Sequence, residues 1–473
     1  MRELDGSVVD LTPGENLKAQ FYGWAQDDES FYVATNERDQ RFFDLYEYDR
    51  ESYEREMILQ NDEGFNIGSI GPHGRYIALN KINTNADSDM YLYDRESGGV
   101  SHLTPHEGDA NFFPAYFSVD GETLYFTTDE GSEFTYLVGH DIASGERTVV
   151  EQADWDVAFA YRSQHGRYRV VGINADARNV IHLYDTTSGE RVDLPELPEA
   201  DISVVYFPRD ESRMAFYASS SRMPSDLFVQ ALPDGEPRQL TQSLSPEIEA
   251  EHLVEGEVVR FESFDGVIVP GILYKPHQVS TEDPAPALVM VHGGPGGQSR
   301  IGYSALTQYL VNHGYVVYAI NNRGSSGYGK TFYHLDDMRH GQDDLDDCVA
   351  SKQMLADTGY VDPERIGIIG GSYGGYMVLA ALTFRPEEFA IGIDIFGISN
   401  WHRTVQNIPP WWESFRAYLE KEMGPFDDEE FFRAKSPLFH AENIVRPLMV
   451  LQGANDPRVL KQESDDIVEA ARA

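Results

Sequence analysis

The feature that most constrains this chain is a repeat. From about residue 20 to residue 241, a turn followed by an apolar strand occurs five times, at Ser30-Phe31-Tyr32-Val33, Arg75-Tyr76-Ile77-Ala78, Thr123-Leu124-Tyr125-Phe126, Tyr168-Arg169-Val170-Val171 and Met214-Ala215-Phe216. Each is followed by a second strand and another turn, and those second strands close at Asp49, Asp94, Asp141, Asp185 and Ala231, in steps of 45, 47, 44 and 46. A period near 45 with strand-only patterning predicts four-stranded propeller blades, five of them in this chain. Residues 5–13, Asp5-Gly6-Ser7-Val8-Val9-Asp10-Leu11-Thr12-Pro13, copy the outer-strand ending at Ser97 to Pro105. This sixth copy either closes the ring with the last blade or ends a preceding blade. The second is the expectation, because all five blades already own such a strand.

The pattern changes after Ser243 to Pro246. A hairpin is expected from Val258 to Tyr274 around Phe264-Asp265-Gly266. Unbroken apolar strands then alternate with helical stretches, at Ala287 to Val291, Tyr315 to Ile320, Ile366 to Ile369, Ile391 to Phe396 and Leu448 to Leu451. Such strands belong to a parallel sheet covered on both faces. Two domains are therefore expected: 1–245 as a β-propeller and 246–473 as an α/β domain of the hydrolase type.

Charge bounds the partners and setting. With 79 Asp and Glu against 37 Lys and Arg, the formal charge is −42, spread along the whole chain. Such a surface repels nucleic acid and anionic membranes. Self-repulsion of this size is relieved by concentrated counterions, so a salt-accumulating source is expected. Met1 to Gly6 offers no apolar signal core, and a cytoplasmic location is expected. The single cysteine, Cys348, excludes an intrachain disulfide, and no metal or cofactor is expected.

Chemistry concentrates at the ends of the apolar strands. Gly370-Gly371-Ser372-Tyr373-Gly374-Gly375 contains a G-x-S-x-G core between a strand and the helix-like Met377 to Leu382, the context of a nucleophile elbow. Ser372 is the candidate nucleophile; four glycines within three residues of it argue against an idle serine in an ordinary turn. His292-Gly293-Gly294-Pro295-Gly296-Gly297 follows the first parallel strand, and its glycines let backbone N–H groups face an oxyanion. Gly294 and Tyr373 are the candidate donors, with His292 read as structural. Asp456, in Gln452-Gly453-Ala454-Asn455-Asp456-Pro457, stands where the acid of a Ser, Asp, His triad belongs, although the same composition makes an Asx turn. No histidine follows it. His402 and His440 precede it and are read as structural. Arg323, in Asn321 to Gly329, is expected on the cleft floor or as a solvated loop residue. Trp411 and Trp412 either line a side-chain pocket or pack the segment from Ile398 to Pro437.

Together HGGPGG, NNRGSSGYG, GGSYGGY and QGANDPRV resemble the prolyl oligopeptidase family of serine peptidases, closest to its acylaminoacyl-peptidase-like members. The resemblance covers essentially the whole chain. It implies a seven-bladed propeller capping an α/β-hydrolase domain, with short peptides cut between them by Ser372 and Asp456, and Gly294 and Tyr373 serving the oxyanion. It also implies a triad histidine beyond Ala473 and about two blades before Met1, so an internal portion of a longer enzyme is expected, with impaired activity. An esterase using the same triad and a non-catalytic peptide-binding relic are the alternatives.

Overall fold

The computed structural model describes residues 6–197 and 200–473. Asp5, the first residue of the sixth outer-strand copy, lies outside the described residues. Five four-stranded antiparallel sheets occupy residues 19–59, 66–102, 112–151, 156–192 and 201–239, each a meander of sequence-adjacent strands. The five expected blades are all present.

Neighbouring blades face each other through apolar side chains. Leu45 and Ile58 of the first pack with Ile77 and Leu79 of the second. Met90 and Leu92 meet Phe112 and Phe126 of the third. Leu137 meets Val171 and Ile173, and Val170 and Leu183 meet Phe216 and Phe228 of the fifth. First and fifth blades touch through polar groups at their turns: Arg209 pairs with Asp28 and donates to the carbonyl of Gln26 at 3.0 Å. Their sheet faces carry exposed aromatics, Phe21 and Trp24 on the first and Tyr206 and Tyr217 on the fifth. Leu11 packs against Phe31, Val33, Tyr46 and Tyr48, so the segment after Gly6 lies on the first blade.

The second region is one seven-stranded sheet. Its strands are β1 (Gly256–Glu262), β2 (Ile268–Tyr274), β3 (Ala285–Val291), β4 (Val316–Ile320), β5 (Val361–Gly371), β6 (Gly392–Ile395) and β7 (Leu448–Leu451). They lie in the order β1-β2-β4-β3-β5-β6-β7. Strand β2 is antiparallel to both of its neighbours, β1 and β4, and β4, β3, β5, β6 and β7 are mutually parallel. Helices α1 (Asp343–Asp357), α2 (Tyr373–Phe384), α3 (Arg416–Met423) and α4 (Lys461–Arg472) are among those around it. The uncharged run from Ile366 to Phe384 is divided between β5 and α2, and no described helix is long and apolar enough to cross a membrane.

The blades cap the carboxyl ends of the parallel strands. Asn174 donates to Gln298 Oε1 at 2.8 Å, and the carbonyl of Ala177 accepts from the N–H of Ile301. Glu133 accepts from Thr331 at 2.7 and 2.8 Å. Asn85 of the second blade donates to Asp337 at 2.6 Å and Glu422 at 2.7 Å. The propeller thus sits over the edge of the sheet where α/β folds gather their ligands.

Candidate active site

Strand β5 runs into Ser372, whose φ of 58° and ψ of −118° are left-handed for a residue with a side chain, and α2 starts at the next residue. Such a conformation is strained and persists because the surroundings enforce it. The glycines explain how. A Cβ on Gly374 would fall 2.1 Å from the carbonyl oxygen of Val291, and one on Gly370 would fall 2.4 Å from that of Gly374. Only bare backbone lets helix, elbow and β3 approach so closely. The N–H of Tyr373 opens α2, where a helix has no internal acceptor for it.

The HGGPGG loop packs on this elbow: a Cβ on Gly293 would lie 3.6 Å from that of Ser372. Gly294 is the next residue along. His292 is held by Ser325 Oγ at 2.8 Å from Nε2 and by the carbonyl of Gly293 at 2.9 Å from Nδ1, which fits the structural reading. Among the described residues no histidine ring is hydrogen-bonded to Ser372.

Asp456 closes the loop after β7. Gly371 of β5 is in register with Ile395 of β6, and Ile395 with Leu451 of β7, so elbow and acid loop leave the sheet at the same level. Asp456 Oδ1 accepts from the N–H groups of Arg458 at 2.8 Å and Val459 at 3.0 Å. The Asx turn is therefore real, and it holds the carboxylate by one oxygen.

Arg323 is not a solvated loop residue. It is buried, and all three guanidinium nitrogens are engaged, by Asp347 at 2.8 and 2.9 Å and by Asp265 at 2.8 and 3.0 Å, with Phe264 stacked beneath. It ties the β1–β2 turn to α1, and its guanidinium has no nitrogen left for a substrate. Trp411 and Trp412 line a cavity of about 490 Å³ against Phe42, Phe65 and Asn80 of the first two blades, with Lys18 Nζ 4.1 Å from the Trp411 ring centre.

Phe113 lines both that cavity and a second of about 340 Å³ between propeller and sheet, where Asp129, Glu133 and Asp156 meet Lys330, Tyr333 and Tyr418. Burial raises the carboxyls of Asp129 and Asp156 above their ordinary range. Tyr333 hydrogen-bonds Tyr418, and its hydroxyl leans on the HGGPGG loop, 2.6 Å from where a Gly296 Cβ would sit. An acid-lined chamber thus adjoins the loop beside Ser372. Sequence reasoning missed these three acids, which look like any others in so acidic a chain.

Known proteins resemble this chain along its length. Dipeptidyl aminopeptidase BIII of Pseudoxanthomonas mexicana is 32% identical over 488 residues, covering 99% of this chain and 70% of that protein. The profile of the prolyl oligopeptidase family matches residues 302–473. The chain belongs to the prolyl oligopeptidase family. A further relative, dipeptidyl peptidase family member 6 of Caenorhabditis elegans, is 28% identical and is covered over 64% of its length by 93% of this chain. The puromycin-hydrolyzing peptidase of Mycobacterium tuberculosis superposes with a TM-score of 0.83 at 20% identity, over 96% of this chain and 73% of that one. The acylaminoacyl peptidase of Pyrococcus horikoshii gives 0.73 at 23%, over 99% and 77%. These likenesses bear out the propeller followed by an α/β-hydrolase domain, and membership makes the chain a serine-type peptidase by family.

Proposed function

We propose that the chain is the working part of a serine peptidase that hydrolyses short peptides through an acyl-enzyme on Ser372, with 1–245 as propeller and 246–473 as catalytic domain. The observation that carries this reading is the strained Ser372 at the mouth of β5, flanked by glycines that admit no side chain. Ser372 Oγ attacks the scissile carbonyl, and the N–H groups of Gly294 and Tyr373 bind the tetrahedral oxyanion. The amine leaves with a proton, and water then cleaves the ester. A histidine base must take the serine proton first, and Asp456 is the group that would orient it.

None of these 473 residues supplies that base after Asp456. Among the described residues β7 is the outermost strand of the sheet, and Met449 and Leu451 on it are exposed. The chain by itself then binds peptide without turning it over. Substrates whose amino terminus is free fit the chamber of Asp129, Glu133 and Asp156, an orientation in keeping with the aminopeptidase name of the first relative.

The test is hydrolysis of a chromogenic dipeptide by the present chain, by a version extended through its next strand and histidine, and by the extended Ser372→Ala variant. The extended form should exceed both others by on the order of 10⁶ in turnover. Robust turnover by the unextended chain, abolished by Ser372→Ala, would show that an earlier histidine is the base.

A further inference from the structure

Behind the elbow lies a group of buried ionisable side chains that peptide hydrolysis does not use. Asp336 and His340 come from the loop before α1, and Glu422 from the last turn of α3. All three are at most 1% exposed, and they offer one ligand atom each within 4.8 Å of one another. We propose that Asp336, His340 and Glu422 bind one divalent first-row metal ion, of the Mn²⁺ or Zn²⁺ kind, that locks the propeller onto the hydrolase sheet.

Two independent observations point to a ligand. Asp336 Oδ1 and Glu422 Oε1 are buried with no hydrogen-bond partner, and so is Oδ1 of Asn85 beside them. Leaving such atoms unsatisfied costs about 1–3 kcal/mol each. The second observation is where the ring of His340 lies: Nδ1 is 2.7 Å from the Tyr373 hydroxyl and 3.4 Å from the Asp336 carboxylate, and Nε2 is 3.1 Å from the Glu422 carbonyl oxygen and 3.8 Å from its carboxylate, so the imidazole stands between the two acids.

Charge and geometry agree with an ion. Two carboxylates and a neutral imidazole sum to −2, the complement of a divalent cation, and this donor set suits Mn²⁺ or Zn²⁺. A tetrahedral ion with bonds of about 2.1 Å separates its ligands by about 3.4 Å, so the groups need draw in by only about 1 Å. The cation already nearby is Lys435, whose ammonium is turned to the carbonyl of Met338. Asp337, Asp344 and His334 complete the surroundings. Because Asn85 of the second blade donates to both Asp337 and Glu422, an ion here would hold blade, α3 and the loop before α1 in one arrangement.

The experiment uses the full chain with His252→Ala, which removes the exposed Glu249, Glu251, His252 grouping as a source of nitrogen. Protein stripped with EDTA is titrated with MnCl₂, and free Mn²⁺ is counted by electron paramagnetic resonance. One bound equivalent with ¹⁴N coupling from a single imidazole is expected, together with a rise of several degrees in Tm at a hundredfold excess over Kd. Glu422→Gln and His340→Gln should each weaken binding at least tenfold. Absence of a bound equivalent, a bound ion lacking ¹⁴N coupling, or binding undiminished in both variants would overturn the proposal. The coupling is read without touching the core, so failure of either core variant to fold leaves a decisive measurement.

Discussion

Asp394 provides a sharp test of how the sheet is built. It stands on β6 between the elbow strand and β7, fully buried, with Oδ1 accepting the N–H of Gly397 at 2.8 Å and Oδ2 unpartnered. Burial pushes its carboxyl from the ordinary 3.8 up to about 7. A group whose folded pKa is raised contributes stability that is fully present below the unfolded pKa and is lost as pH rises through the folded one. Three units at 1.36 kcal/mol each make the loss about 4 kcal/mol above neutrality, of which about 3 falls between pH 5 and pH 8. Asp394→Asn keeps the acceptor for Gly397 and has no charge to desolvate. Relative to wild type, the variant should therefore gain about 3 kcal/mol between pH 5 and pH 8. Urea unfolding of both proteins at fixed KCl and several pH values measures it, and every titration they share cancels in the difference. A gap that is flat in pH, or one that narrows as pH rises, would refute the burial argument.

Gly374→Ala drives a methyl group into the carbonyl of Val291 and should cost about 3 kcal/mol or more; an unchanged Tm would mean that α2 can move away from β3. A formal charge of −42 should make the fold depend on salt, with a markedly higher unfolding midpoint in 3 M than in 0.2 M KCl. Equal midpoints would remove the case for a salt-accumulating source. If the propeller filters substrates by size, the extended enzyme should cut short peptides and leave a folded globular protein intact after prolonged incubation.

The sequence was most readable where one local rule governs many residues. The 44-to-47-residue spacing marked five blades because each blade repeats the same turn and strands, and β3 to β7 were visible as unbroken apolar runs. The elbow was legible because its glycines answer contacts with backbone only a few residues or one strand away. The burial of Arg323 was not legible because Asp265 and Asp347, which neutralise it, are 58 and 24 residues distant. The acid chamber and the Asp336, His340, Glu422 group draw on blades, loops and helix ends far apart in the chain. With 79 acids present, no short window distinguishes those that end up enclosed.

The outermost strand, β7, has a colloidal consequence. Its outer backbone groups and the exposed Met449 and Leu451 form a template on which another chain's strand could add. In dilute buffer two such molecules carry the same large negative charge and repel before their edges can meet. Concentrated salt, which relieves the crowding of carboxylates within one molecule, also shortens the range of that repulsion to about 3 Å at 1 M. If the fold depends on salt as predicted, the ionic strength that favours it would also let copies with nothing beside β7 zip together along that strand, and the two effects would pull handling conditions in opposite directions.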